Sequence, residues 1–185
     1  VLATISPSTI SSMTDKSVAV TGATFRSSPE LFCDLSGTLI EAEYIHKSEV
    51  VCRIPSMLRP GKYNLSVSNN GQDFSNALEF RVFDSFLLTS IYPALGFRDR
   101  AINLTLHGQS LEDLGLECLF NSHFVAPADY VNSSIACPMI PARFDDNPTE
   151  VSVELTLNGE VVSRGDPLFY SIVDFSVDSI FPSSG

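Results

Sequence analysis

Apolar and polar residues alternate in short runs along the chain, and no segment sustains a helical period. Lys16–Phe25 (KSVAVTGATF) alternates, as do Tyr63, Leu65 and Val67, then Leu78, Phe80 and Val82. Further on, Ile102, Leu104 and Leu106 share a face, and so do Val151, Val153, Leu155 and Leu157, then Leu168, Tyr170 and Ile172. A period of two is that of a strand with one face buried. More strands are predicted at Leu31–Cys33, Ile40–Ile45, Val50–Ile54, Leu116–Cys118, Phe124–Val131 and Ser134–Ile140. Asn69-Asn70-Gly71 and Asn158-Gly159 fall between alternating runs and predict hairpins, because Asn and Gly accept the positive φ of a type I′ turn. Val20-Thr21-Gly22 and Leu106-His107-Gly108 each end a strand in glycine, which predicts a positive-φ turn or a bulge. Phe25 and Leu111 each follow such a glycine by three residues.

The pattern is duplicated. Ile5-Ser6-Pro7 returns as Ile91-Tyr92-Pro93 and again as Ile180-Phe181-Pro182, at intervals of 86 and 89 residues. All four cysteines fall in one frame used twice: Cys33 and Cys52 are 19 apart, Cys118 and Cys137 are 19 apart, and Pro55 and Pro141 follow shortly after. An internal repeat of domain length predicts tandem modules: 1–84, 85–174, and 175–185 as the first strand of a further repeat. The fold class is all-β, with two tandem antiparallel sandwiches of immunoglobulin-like layout and about seven strands each. Trp is absent, and each cysteine pair brackets the middle of its module rather than joining an early strand to a late one. Pairing within each module, Cys33–Cys52 and Cys118–Cys137, is the cheapest connection. A bridge of that span stabilises by ~3 kcal/mol in the chain-entropy model, a large share for a small domain. Zinc sites use close pairs such as C-x-x-C with His nearby, and His46, His107 and His123 show no ligand spacing.

Disulfides belong to oxidising compartments, so an extracellular or cell-surface location is expected. The net charge of −11 opposes binding to phosphate backbones and anionic lipid, so neither nucleic acid nor membrane is an expected partner. No apolar run approaches the ~20 residues of a membrane helix. Val1 begins directly in strand-like sequence, and the chain is expected to be a mature fragment or a piece of a longer protein.

An initial Ile-x-Pro, an apolar-x-Gly-x-x-Phe/Leu, a cysteine, a second cysteine with proline just after and a closing hairpin occur in this order in both modules. In this the chain resembles the IPT/TIG domain, an immunoglobulin-like repeat of plexins, related receptors and many large surface proteins. The resemblance implies a non-enzymatic β-sandwich, used in tandem to space or present other domains and sometimes to make protein–protein contacts. Relatives in Rel-type transcription factors bind DNA through basic loops, which this chain lacks.

Candidate chemistry is sparse. Asn64-Leu65-Ser66, Asn103-Leu104-Thr105 and Asn132-Ser133-Ser134 are N-glycosylation sequons, while Pro148 excludes Asn147. Strand parity turns Asn64 and Ser66, and Asn103 and Thr105, to solvent, opposite the apolar faces. Asn132 falls near a strand junction and is expected to be exposed. The Ser/Thr-rich start from Thr4 to Thr14 is either an O-glycan carrier or a polar strand and turn. Glu112-Asp113 and Asp145-Asp146, with Asp84 and Asp174 at the junctions, lack the oxygen spacing of a calcium loop and read as solvated charge. No metal or cofactor is expected. No nucleophile, phosphate-loop or metalloprotease motif is present, and no enzyme is expected.

Phe175, Val177, Ile180 and Phe181 form an apolar strand without a module of its own. It is either the start of a following repeat or a strand donated to a neighbouring chain, and head-to-tail donation builds filaments. The expected role is a glycan-coated rod or fibre segment. Its partners would be neighbouring repeats or copies of itself, and Asp84–Phe86 leaves little linker between modules. The alternatives are a ligand-binding or adhesion segment of a plexin-like receptor ectodomain, marked by an exposed apolar patch free of glycans, and an accessory domain of a carbohydrate-active enzyme.

Overall fold

The computed structural model describes residues 1–12, 16–56, 58–98, 100–139 and 149–173. Every regular element among them is a β-strand, and the chain divides into two units between Ser85 and Phe86.

The first unit holds β1 (Leu2–Ser6), β2 (Thr9–Ser11), β3 (Lys16–Gly22), β4 (Phe32–Leu35), β5 (Thr38–His46), β6 (Glu49–Ile54), β7 (Gly61–Ser68) and β8 (Leu78–Phe83). Their order is β1-β3-β6-β5-β4-β7-β8-β2. One strand belongs to both faces of the sandwich. The N-terminal half of β5 pairs β4, with Ile40 opposite Cys33, and its C-terminal half pairs β6, with Ala42 opposite Cys52. The chain turns the corner within two residues. Cys33 and Cys52 are therefore brought to a Cα separation of 6.0 Å and are bonded. Val18, Val20, Val50, Leu65 and Phe80 are fully buried beside this bridge.

The second unit repeats the plan with β9 (Phe86–Tyr92), β10 (Leu95–Phe97), β11 (Ile102–Gln109), β12 (Glu117–Phe120), β13 (Phe124–Pro127), β14 (Asp129–Val131), β15 (Ser134–Met139), β16 (Glu150–Leu157), β17 (Glu160–Val161), β18 (Ser163–Arg164) and β19 (Leu168–Val173). Its sheets are β10-β19-β16-β12-β13 and β14-β15-β11-β9-β18, with β17 on β16. Here the corner is broken in two. β13 pairs β12, and β14 pairs β15. Pro127 ends β13, without an N–H to continue a ladder. Cys118 and Cys137 are bonded across this corner, with a Cα separation of 5.9 Å.

Three features depart from the sequence expectation. In each unit the chain crosses after a cis proline, Pro7 or Pro93, to add a short strand parallel to the last one: β2 on β8, β10 on β19. Within a polar run, Ile10 is the single apolar residue that marks β2. Next, Asn69-Asn70-Gly71 does not close a two-residue hairpin. The Asn70 side-chain oxygen accepts the amides of Gln72 and Asp73 at 3.1 and 2.9 Å, holding a longer loop. Asn158-Gly159 does turn tightly, with φ of 54° and 79°, but it joins β16 to β17. The chain then pairs with β9 as β18 before returning as β19.

The strand-ending glycines serve a bulge. β1 carries one extra residue, Ala3, opposite the Thr21–Gly22 step, and β9 carries Thr89 opposite His107–Gly108. Neither glycine has positive φ, so the requirement is room. A Cβ at Gly108 would lie 2.5 Å from the Leu87 carbonyl oxygen, and one at Gly22 would lie 2.9 Å from that of Val1. The contact at Gly108 is the closer of the two, and the Leu87 carbonyl belongs to β9, whereas Val1 precedes β1. Gly108→Ala is expected to destabilise by about 1–3 kcal/mol through overpacking, and Gly22→Ala by less. Thermal unfolding of the two variants checks this, and equal, negligible shifts would contradict it.

Candidate functional site

The three sequon asparagines are all exposed. Asn64 lies in the middle of β7, with its backbone fixed from the turn after β4: the Asn64 amide donates to Ser36 Oγ at 2.9 Å, and the Ser36 amide donates to the Asn64 carbonyl at 2.9 Å. Asn103 sits on β11 opposite Pro138. Asn132 and Ser133, with φ of 49° and 62°, form the tight turn between β14 and β15. Asn103 and Asn132 thus belong to the same sheet of the second unit. Parity fails for the companion residue Ser66, which is buried at 7% exposure, and Thr105 is half-buried. β7 is an interior strand paired on both sides, so its outward face is covered where neighbouring side chains lie across it. At the N-terminus Ser11 is also buried, its hydroxyl bonded to that of Ser85 at 2.7 Å. That hydroxyl is held within the fold. Phe175, Val177, Ile180 and Phe181, and likewise Asp145, Asp146 and Asp174, lie outside the described residues.

The histidines acquire neighbours that spacing did not foretell. His46 lies in the β5–β6 turn, with Nδ1 3.0 Å from Ser48 Oγ and Nε2 3.3 Å from Glu49 Oε2. The contact order is that of a Ser–His–carboxylate relay. A relay also requires a site that excludes water and donors for a developing oxyanion, and this one is an exposed turn, with the His46 side chain 55% accessible. His107 Nδ1 lies 2.9 Å from Ser134 Oγ, and among the described residues no carboxylate accepts a hydrogen bond from its ring. Both pairs fix turns and strand ends. Among the described residues no group of three or more His, Cys, Asp or Glu is gathered as a metal site. One cleft of about 520 Å³ opens in the first unit between the loop after β3 and the loop after β7. Asn69 stitches its walls, accepting from the Arg26 amide and donating to the Thr24 carbonyl, each at 3.0 Å.

One buried group is chemically unusual. Tyr170 is fully buried, and among the described residues its hydroxyl has no hydrogen-bond partner. It lies against Gly96, where any Cβ would collide with the phenol oxygen. Burial pushes the phenol above its ordinary value of 10.0. The residue at this register in the first unit is Phe80: Tyr63 faces Phe80 as Val151 faces Tyr170. Leaving a buried hydroxyl unpaired is costly, so Tyr170→Phe is expected to raise stability by up to about 1 kcal/mol. The native phenol binds its proton more tightly than the unfolded one. Its contribution is therefore complete below the unfolded pKa and lost as pH rises through the folded one, and the variant lacks this alkaline loss. Thermal midpoints of both forms at neutral and alkaline pH measure it. A lowered neutral midpoint, or the same alkaline slope in both, would refute it.

Comparison with known proteins gives the following. Residues 1–82 match the family model described as IPT/TIG domain. No curated protein matches the chain. Among solved structures, it is similar to the plexin A4 full extracellular region with domains 1 to 8 (13% identity, 93% of this chain and 18% of that chain, TM-score 0.49). A second plexin A4 structure, domains 1 to 10, has 14% identity over 83% of this chain and 14% of that one, also at 0.49. The fibronectin(III)-like modules of Clostridium thermocellum CbhA have 16% identity over 91% and 93%, at 0.40. At these scores the likenesses carry no functional assignment, and the chain spans less than a fifth of either plexin structure.

Proposed function

We propose, from the premise that its first repeat is an IPT/TIG domain, that this chain is a non-enzymatic structural segment of a glycosylated extracellular or cell-surface protein. The second repeat is read as another copy of the same domain. The observation that carries this is the coincidence of detail between the units. Both clamp the corner of a sheet-switching strand with one disulfide. Both relieve a bulge in the first strand with a glycine. In both, a serine hydroxyl accepts the amide of the residue opposite the first cysteine: Ser75 from Val67 at 3.0 Å, Ser163 from Leu155 at 3.1 Å. These details hold a scaffold together. The two bridges fit an oxidising, extracellular setting.

Glycans are assigned to Asn64, Asn103 and Asn132, whose exposure leaves room for a sugar. Protein secreted from a eukaryotic cell is expected to lose mass on treatment with a peptide-N-glycosidase, and each Asn→Gln substitution is expected to remove one glycan. An unchanged native mass would overturn the assignment.

In the assembled protein such segments act as rods or fibres, joined head to tail through neighbouring repeats. Electron microscopy of native full-length material tests this. Filaments in which the Phe175–Phe181 strand enters a neighbouring repeat support a structural polymer, and isolated membrane-attached molecules replace it with a receptor or adhesin stalk. The second, ligand-binding reading is favoured by one observation: an exposed apolar sheet face in the second unit.

A further inference from the structure

The two units place different chemistry at matching positions of the same sheet. In the first unit the outer face of β7 and β8 carries Lys62, Asn64, Glu79 and Arg81. Asn64 stands opposite Glu79, and Lys62 is 2.9 Å from the Glu79 carboxylate. The match in the second unit follows from register, since Phe80 and Tyr170 occupy the same place. Glu79 becomes Phe169, Asn64 becomes Ser152, and Thr9 on β2 becomes Leu95 on β10. Phe169 is 52% exposed and Leu95 59%. Across the sheet, Leu119 takes the place of Asp34, beside Val125, which is 45% exposed and stands where the first unit has the likewise exposed Leu39.

The charge changes as well. Glu117, Glu150 and Glu154 lie on this sheet, and none of its five strands, β10, β19, β16, β12 and β13, contains Lys or Arg. Residues 86–185 hold thirteen Asp and Glu against four Arg and no Lys, whereas residues 1–85 hold nine against seven Lys and Arg. The face has also lost its sequon: Asn103 and the Asn132 turn both belong to the opposite sheet.

From this replacement we infer that the outer face of the β10-β19-β16-β12-β13 sheet is a docking surface for a partner protein that presents apolar side chains flanked by Lys or Arg. An apolar face that sugars do not cover is suited to being covered by protein. Carboxylates on strands that carry no Lys or Arg select a basic partner and repel like charge. The same acidity disfavours a second copy of this chain, whose net charge is −11. The inference goes beyond a spacing role and does not depend on whether the three sequons are occupied.

The test titrates the whole 185-residue chain with a short peptide alternating Lys with Val and Phe, and with the same peptide carrying Glu for Lys. The Lys peptide is expected to bind, more weakly as salt is raised, and the Glu peptide is not. Leu95→Thr with Phe169→Thr, both at exposed positions, is expected to weaken binding at least about tenfold. Glu150→Gln with Glu154→Gln is expected to weaken it and to flatten its salt dependence. Far-ultraviolet circular dichroism confirms that each variant is folded. Absence of binding, or binding that neither double variant alters, overturns the inference. So does a dimer in sedimentation velocity that the Leu95/Phe169 variant abolishes, which makes the occupant a second copy.

Discussion

One strand has to serve two sheets, and the rest of each unit is arranged around that demand. In the first unit β5 passes from pairing with β4 to pairing with β6 between Ile40 and Ala42. A corner of this kind gives up ladder hydrogen bonds and leaves the two sheets free to splay. The disulfide is placed at the one location where it prevents this, joining the two strands that flank the corner. The equal spacing of the two cysteine pairs follows, because the chain must leave one sheet, turn and return along the other over the same distance. The second unit shows how strongly the covalent clamp holds the geometry. Pro127 interrupts the corner strand into β13 and β14, and the bridge still spans the same interval.

Much of this was legible in the residues. Alternation located the principal strands, the doubled cysteine frame indicated the bridges, and a glycine near the end of each β3-type strand pointed to a positive-φ turn or a bulge, of which the bulge is the one present. Other parts were not legible, for physical reasons. Strands such as β2, β10, β17 and β18 are two or three residues long, too short for a period to be counted, and they exist because an open sheet edge offers them a partner. Ser66 defeats parity because alternation reports which side of a strand a residue is on, not whether something lies across that side. The Asn70 loop shows that an Asn-Gly step has two outcomes. The side chain can cap a wider loop through its own oxygen, and the choice rests on where the chain must go next.

The candidate site was legible to a different degree. Sequons are read directly, and the exposure of Asn64 and Asn103 followed from strand parity, that of Asn132 from its place near a strand junction. The contacts of His46 with Ser48 and Glu49 were visible only in the folded turn, and they illustrate why contact order alone does not make a catalyst. Without a site that excludes water and oxyanion donors, a Ser–His–Glu chain is a set of exposed hydrogen bonds. The unpaired hydroxyl of Tyr170 was likewise invisible in sequence, where Tyr and Phe serve equally as the apolar member of an alternating run.

The comparison between units carries the functional argument furthest, because each serves as the other's control. Both meet the same folding constraints, so their shared features, the clamp, the bulge glycine and the serine that holds the β7-type strand, belong to stability. Stability does not explain Phe169 and Leu95, since the first unit forms the same strands with Glu79 and Thr9 in those places. Exposed aromatic and aliphatic side chains in a sheet face invite association, and the first unit shows that the fold does without them at these two places. Loss of the sequon, and of Lys and Arg from the strands of this sheet, points the same way: apolar exposure, sequon and charge change together at one surface. A drift toward greater apolarity for packing would have left Lys62 and Asn64 counterparts in place beside it. The coordinated replacement is what a surface selected for contact with another protein requires.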